Sequence, residues 1–137
     1  MVERNDGKVL GVKMSWELIR RVELDLLKKL ENWLNSSEEE REKMKEDIEK
    51  TMKRVDECYR IVNEYPVPED FYWSQMTSLA PETEAKLDIL TNLFLRWKNG
   101  EKINVREEFD REMSEFREMQ REIDRMIEEE DRLLWEN

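Results

Sequence analysis

From residue 15 onward the apolar positions of this chain recur three and four residues apart, the spacing of helices with one buried face. Ile19, Val22, Leu26, Leu30 and Trp33 fall on one line. Trp16, Leu27 and Leu34 widen that line, and Leu18 and Leu24 lie off it. The pattern predicts a first helix from an N-cap at Ser15 to about Leu34, with an apolar face wide enough for more than one packed neighbour. Asn35-Ser36-Ser37 ends it, and Ser37 with Glu40 has the spacing of a capping box. A second helix is predicted from about Glu38 to Tyr65. In it Ile48, Val55 and Val62 stand seven apart, with Met52 and Tyr59 seven apart between them, which is a heptad seam. At about 1.5 Å per residue this helix spans roughly 40 Å and asks for a partner of similar length.

All three prolines fall within residues 65–81, which also hold Tyr65, Phe71, Tyr72, Trp73 and Met76. The chain must redirect here. Pro68 with Glu69 and Asp70 predicts a short helix through about Ser78. Its aromatic side chains either plug one end of a core or form an adhesive surface. Pro81 opens a further helix with Leu87, Leu90, Leu93, Phe94 and Trp97 on its buried side and Lys98-Asn99-Gly100 as its stop. Asn104 with Glu107 repeats the capping-box spacing, and from Val105 to about Trp135 there is neither Gly nor Pro. The stripe of this last helix is Val105, Phe109, Met113, Phe116, Met119, Ile123, Met126, Ile127, Leu133 and Leu134. Its methionines read as adaptable core filler. Glu112 and Glu130 project from the middle of the stripe, an unusual place for a charge.

These elements predict an all-α antiparallel bundle of four main helices, two long and two shorter, with a short aromatic helix in the central turn. The second and last helices are expected to be the long antiparallel pair. Residues 1–14, polar except for a short apolar patch over Val9–Met14, are expected to form a tail, and residues 15–137 one domain.

Charge narrows the range of partners. The 137 residues carry 24 basic and 35 acidic side chains, a net charge of −11. That opposes broad contact with a phosphate backbone. Only residues 1–35 are slightly basic, so direct nucleic-acid binding is not expected beyond a local contact through Arg20, Arg21, Lys28 and Lys29. No apolar run approaches the length of a membrane span. A lone Cys58 rules out an internal disulfide and reads as a buried inert thiol. A cytoplasmic location is the expectation.

Catalytic chemistry finds few candidates. Without a single His, Ser-His-Asp triads, Cys-His nucleophiles and His-bearing zinc sites are excluded. The three glycines, at positions 7, 11 and 100, are isolated and form no phosphate loop. Glu112-x-x-Glu115 followed by Glu128-x-x-Asp131 is similar to the acidic pattern of the all-α nucleoside triphosphate pyrophosphatases. The resemblance implies magnesium held between two helices. Here residues 112–131 read as one helix, with the two pairs roughly 24 Å apart. No cofactor and no metal are therefore expected.

The expected function is a non-enzymatic protein–protein interaction module, a helical scaffold or regulator that self-associates or binds a partner protein. Its candidate contacts are Phe71, Tyr72, Trp73 and Met76 in the central turn, with Leu24, Ile61 and Leu95 lying off their stripes. One alternative is an acidic decoy, of the kind viruses and plasmids encode, that occupies the groove of a nucleic-acid-binding enzyme. It would present Glu115, Glu118, Glu122 and Glu129, although Arg111, Arg121 and Arg125 are interleaved with them. A small all-helical subunit of a nucleoprotein complex is another, and a magnesium-dependent nucleotide pyrophosphatase is the last. A homo-oligomer is expected.

Overall fold

The computed structural model describes the backbone of residues 2–64 and 79–136 and the side chains of residues 16–64 and 79–135. Within them the chain forms four helices, α1 (Val2–Leu34), α2 (Glu38–Asn63), α3 (Pro81–Lys98) and α4 (Val105–Glu136), and no strand. The architecture is an all-α bundle. The expected short helix of the central turn, with Phe71, Tyr72, Trp73 and Met76, lies outside the described residues.

Local chemistry sets most of the boundaries. The hydroxyl of Ser37 accepts the backbone N–H of Glu40 at 3.3 Å, and the side-chain oxygen of Asn104 accepts that of Glu107 at 3.2 Å. Each satisfies one of the unpaired donors at a helix start. Pro81 opens α3 where its missing N–H costs nothing. Gly100, at φ +85, turns the chain out of α3 in a conformation that a side chain disfavours.

The start of α1 corrects the expected N-cap at Ser15. The helix begins at Val2, so residues 2–14 continue it and Ser15 lies inside it instead of capping it. No proline interrupts this stretch, and Gly7 and Gly11 each cost only about 1 kcal/mol relative to Ala, which a long helix tolerates.

The short connection over residues 35–37 folds α2 back along α1. Arg41 donates to the backbone oxygens of Trp33 and Leu34 at 2.9 and 2.7 Å. Lys29 donates to the Thr51 hydroxyl at 2.9 Å, and Tyr59 to Glu23 at 2.5 Å. These pairs step down α1 as they step up α2, so the two helices are antiparallel. Ile48 and Val62 of the heptad seam are buried, and Met52 and Val55 pack against the same core. The partner of that seam is thus α1, not α4. A three-residue turn delivers α2 to α1 before any later helix can compete for it.

Helix α3 lies on the other side of the wide face of α1. Lys86 pairs with Glu31 at 3.1 Å, and Trp33 meets Phe94 and Trp97 edge-on at 5.6 and 5.5 Å. Partners on α3 rise in number with those on α1, so this pair runs parallel. Helix α4 returns antiparallel along α3, with ion pairs from Arg96 to Glu108 and from Arg117 to Glu82. Trp33, Leu30, Leu90, Leu93 and Phe94 are completely buried where α1 and α3 meet, and Val105, Phe109 and Met113 close the core from α4. Each such side chain stabilises the fold by roughly 1.5–3 kcal/mol through burial.

Candidate interaction surface

The lengths of α3 and α4 create the site. The end of α3 at Lys98 lies beside the start of α4 at Val105, but α3 has 18 residues and α4 has 32. At about 1.5 Å per residue, α3 ends after roughly 27 Å while α4 continues to roughly 48 Å. The last ion pair between them is Arg117 with Glu82, beside the first turn of α3. Everything on α4 beyond it overhangs.

The apolar stripe does not stop there. Val105, Phe109 and Met113 are buried and Phe116 is half-buried. Met119, Ile123, Met126, Ile127, Leu133, Leu134 and Trp135 are exposed, from 43% at Ile123 to 88% at Trp135. The expected stripe is therefore core in its first half only. Its second half is a contiguous apolar surface about five turns long, and among the described residues no helix packs along it. Residues 116, 119 and 120, then 123, 126 and 127, then 130, 133 and 134 repeat at seven. Within these triplets only Gln120 and Glu130 are polar.

The other expected site residues are placed as follows. Leu24, Ile61 and Leu95 are each exposed, one apiece on α1, α2 and α3. Glu112 lies in the packed half of α4, where one carboxylate oxygen is buried without a hydrogen-bond partner and its charge acts on Arg96 and Arg111. Glu130 is fully on the overhang and exposed. The two are 18 positions apart on one helix and do not meet. Cys58 is half-buried in α2. Of the basic candidates, Arg20, Arg21 and Lys28 are exposed, whereas Lys29 is held by Asp25, Asp47 and Thr51.

The acidic rows are partly neutralised within the helix. Arg111 binds Glu115 at 3.2 Å, and Arg125 lies 3.8 Å from Glu122. Residues 112–131 are one unbroken helix, which keeps the two carboxylate pairs apart. Among the described residues no group of three acidic or Cys side chains is clustered closely enough to hold a metal ion, and no helix is long and apolar enough to cross a membrane.

One buried charge was missed. Glu23 is 8% exposed between α1, α2 and α3. Burial pushes its carboxyl above the ordinary range, and Glu84 and Asp88 push the same way, against the hydrogen bond from Tyr59. The signal was present, because Glu23 stands four residues after Ile19 and three before Leu26, on the apolar stripe itself. The phenol of Tyr59 is in turn held protonated by burial and by Glu23.

No protein-family model matches this chain, and no curated protein or solved structure matches it significantly.

Proposed function

We propose that the protein is a non-enzymatic protein–protein interaction module whose docking surface is the apolar stripe of α4 beyond Phe116. The observation that carries the reading is the contiguous exposure of Met119, Ile123, Met126, Ile127 and Leu134 on a helix whose first half is core. Isolated apolar side chains on a surface need no explanation, but a continuous stripe several turns long is the signature of a partner site. Its heptad spacing suits another helix, which would insert its own side chains between these.

The test is a charge placed in the stripe. The double variant Ile123→Asp, Ile127→Asp should leave the circular dichroism and thermal melting of the dilute protein unchanged. It should abolish self-association measured by light scattering, together with capture of any partner from a host extract. A wild-type protein that stays at the 16.9 kDa monomer mass at every concentration and binds the same set of proteins as the variant would overturn the reading.

A further inference from the structure

Resting on that reading, we propose that the stripe of α4 is covered by the same stripe of a second copy, antiparallel, in the register that sets Gln120 of each chain opposite Glu130 of the other. Two polar positions set the register. In the exposed half of α4 the seam positions facing a partner helix are Phe116, Gln120, Ile123, Ile127, Glu130 and Leu134, with Met119 and Met126 beside them. Any helix that covers this surface must satisfy one amide and one carboxylate among apolar side chains, because a polar group left unpaired there is costly.

A parallel, in-register pair fails this requirement. It would set Glu130 against Glu130 of the second copy, two carboxylates in one layer of an apolar seam. Among antiparallel arrangements the heptad allows shifts of seven residues, and three of these keep the overhangs in contact. The first sets Phe116 opposite Leu134, Gln120 opposite Glu130 and Ile123 opposite Ile127. Shifting one heptad towards the bundle sets Glu130 opposite Met113 and Leu134 opposite Phe109, positions that the core already occupies. Shifting one heptad outward sets Glu130 opposite Ile127 and leaves Phe116 uncovered. Only the first arrangement joins the two polar groups to each other. It also makes the seam as long as the part of α4 that α3 leaves uncovered.

Three further features agree with that register. Gln120 uses its side-chain nitrogen on Asp124 of its own helix at 3.2 Å, and the amide has a second N–H to donate to the Glu130 carboxylate. On the edge of the seam Arg117, now paired with Glu82, falls beside Asp131 of the second copy, an opposite charge. Leu134 of the second copy arrives at Phe116, where a groove of ≈ 560 Å³ opens between Ala80, Pro81 and Glu82 of the α3 start and Phe116, Arg117 and Gln120 of α4. The arrangement is closed by a two-fold axis level with Arg125, so each seam covers the other and none is left to propagate. A buried polar pair of this kind serves chiefly to select one register over its neighbours.

The experiment is a charge swap read by sedimentation equilibrium. Gln120→Glu alone places carboxylates face to face at two points of the dimer and should weaken its Kd on the order of tenfold or more. Glu130→Lys alone should change it little. The double variant Gln120→Glu, Glu130→Lys should recover the wild-type value to within about threefold, because each new charge faces its opposite. Parallel pairing predicts the reverse, since the double variant would then set Glu against Glu and Lys against Lys. In a Cys58→Ser background, a spin label at Asp110→Cys should report an axial separation of about 45 Å between copies, from thirty residues at about 1.5 Å each, against under about 20 Å for a parallel pair. A dimer without rescue, or with the short distance, overturns the inference and leaves the docking surface standing, as does a wild-type monomer that binds another protein through the stripe. A dimer indifferent to Ile123→Asp, Ile127→Asp overturns both.

Discussion

Two methionines thirteen positions apart on α4 separate the packed half of that helix from the overhang. Met113 is 3% exposed in the core cluster that includes Leu90, Leu93 and Phe94. Met126 continues the same stripe at 62% exposed. Removing a buried Met side chain costs lost transfer energy and leaves a cavity, so Met113→Ala should destabilise by about 3 kcal/mol. With a urea dependence of roughly 1.5 kcal/mol per molar for a domain of this size, the unfolding midpoint should fall by about 2 M. Met126→Ala removes the same atoms from a site already open to water. Below the concentration at which copies associate, its stability should stay within about 0.5 kcal/mol of wild type. Raising the protein concentration should then stabilise wild type more than Met126→Ala, because only association distinguishes them. Tryptophan fluorescence is the natural probe, since Trp33 and Trp97 lie at the core and will report its loss. A Met126→Ala midpoint as low as that of Met113→Ala in dilute solution would mean that the overhang is covered within one chain and is no docking surface. A neutral Met113→Ala would remove the packing of α4 on α3.

The remaining predictions concern the frame. Arg41→Ala should cost roughly 1.5–3 kcal/mol, because the guanidinium satisfies two carbonyls at the end of α1 and lies 5.4 Å over the Trp33 ring. Arg41→Lys should not restore the loss, since an ammonium cannot reproduce the fork, and urea midpoints compare the three. For Glu23 the folded carboxyl titrates above its ordinary 4.5, so its contribution to stability is greatest below that pH and declines as pH rises through the raised value. Glu23→Gln keeps an acceptor for Tyr59 and removes that decline. The variant should therefore gain on wild type between pH 4 and neutrality, and parallel midpoints across that range would disprove the burial of this charge. Gly100→Ala should lower stability by about 1 kcal/mol through backbone conformation alone, because at φ +85 its added Cβ meets nothing within 4 Å. A loss of several kcal/mol on melting would point to a contact that the structure does not show.

What could be read from residues alone was whatever depends on neighbours a turn or less away. Ser37, Pro81, Gly100 and Asn104 mark their boundaries because caps, stops and helix starts are made within three or four residues. That α1 would pack against more than one neighbour was legible for the same reason, since the width of an apolar face is local information. The start of α1 was not, because residues 2–14 hold two glycines and no strong periodicity, and helix propagation from the packed part decides such a stretch. Pairing is not local at all. The heptad of α2 specifies a helical partner but not which one, and the three-residue turn after α1 made that choice. The stripe of α4 reads the same from Val105 to Leu134, yet Met113 is core and Met126 is surface, and Glu112 and Glu130 share a pattern without sharing an environment. The difference lies fourteen or more residues away, in the length of α3. A period records which face of a helix is apolar, and only the assembled bundle decides how much of that face another helix reaches.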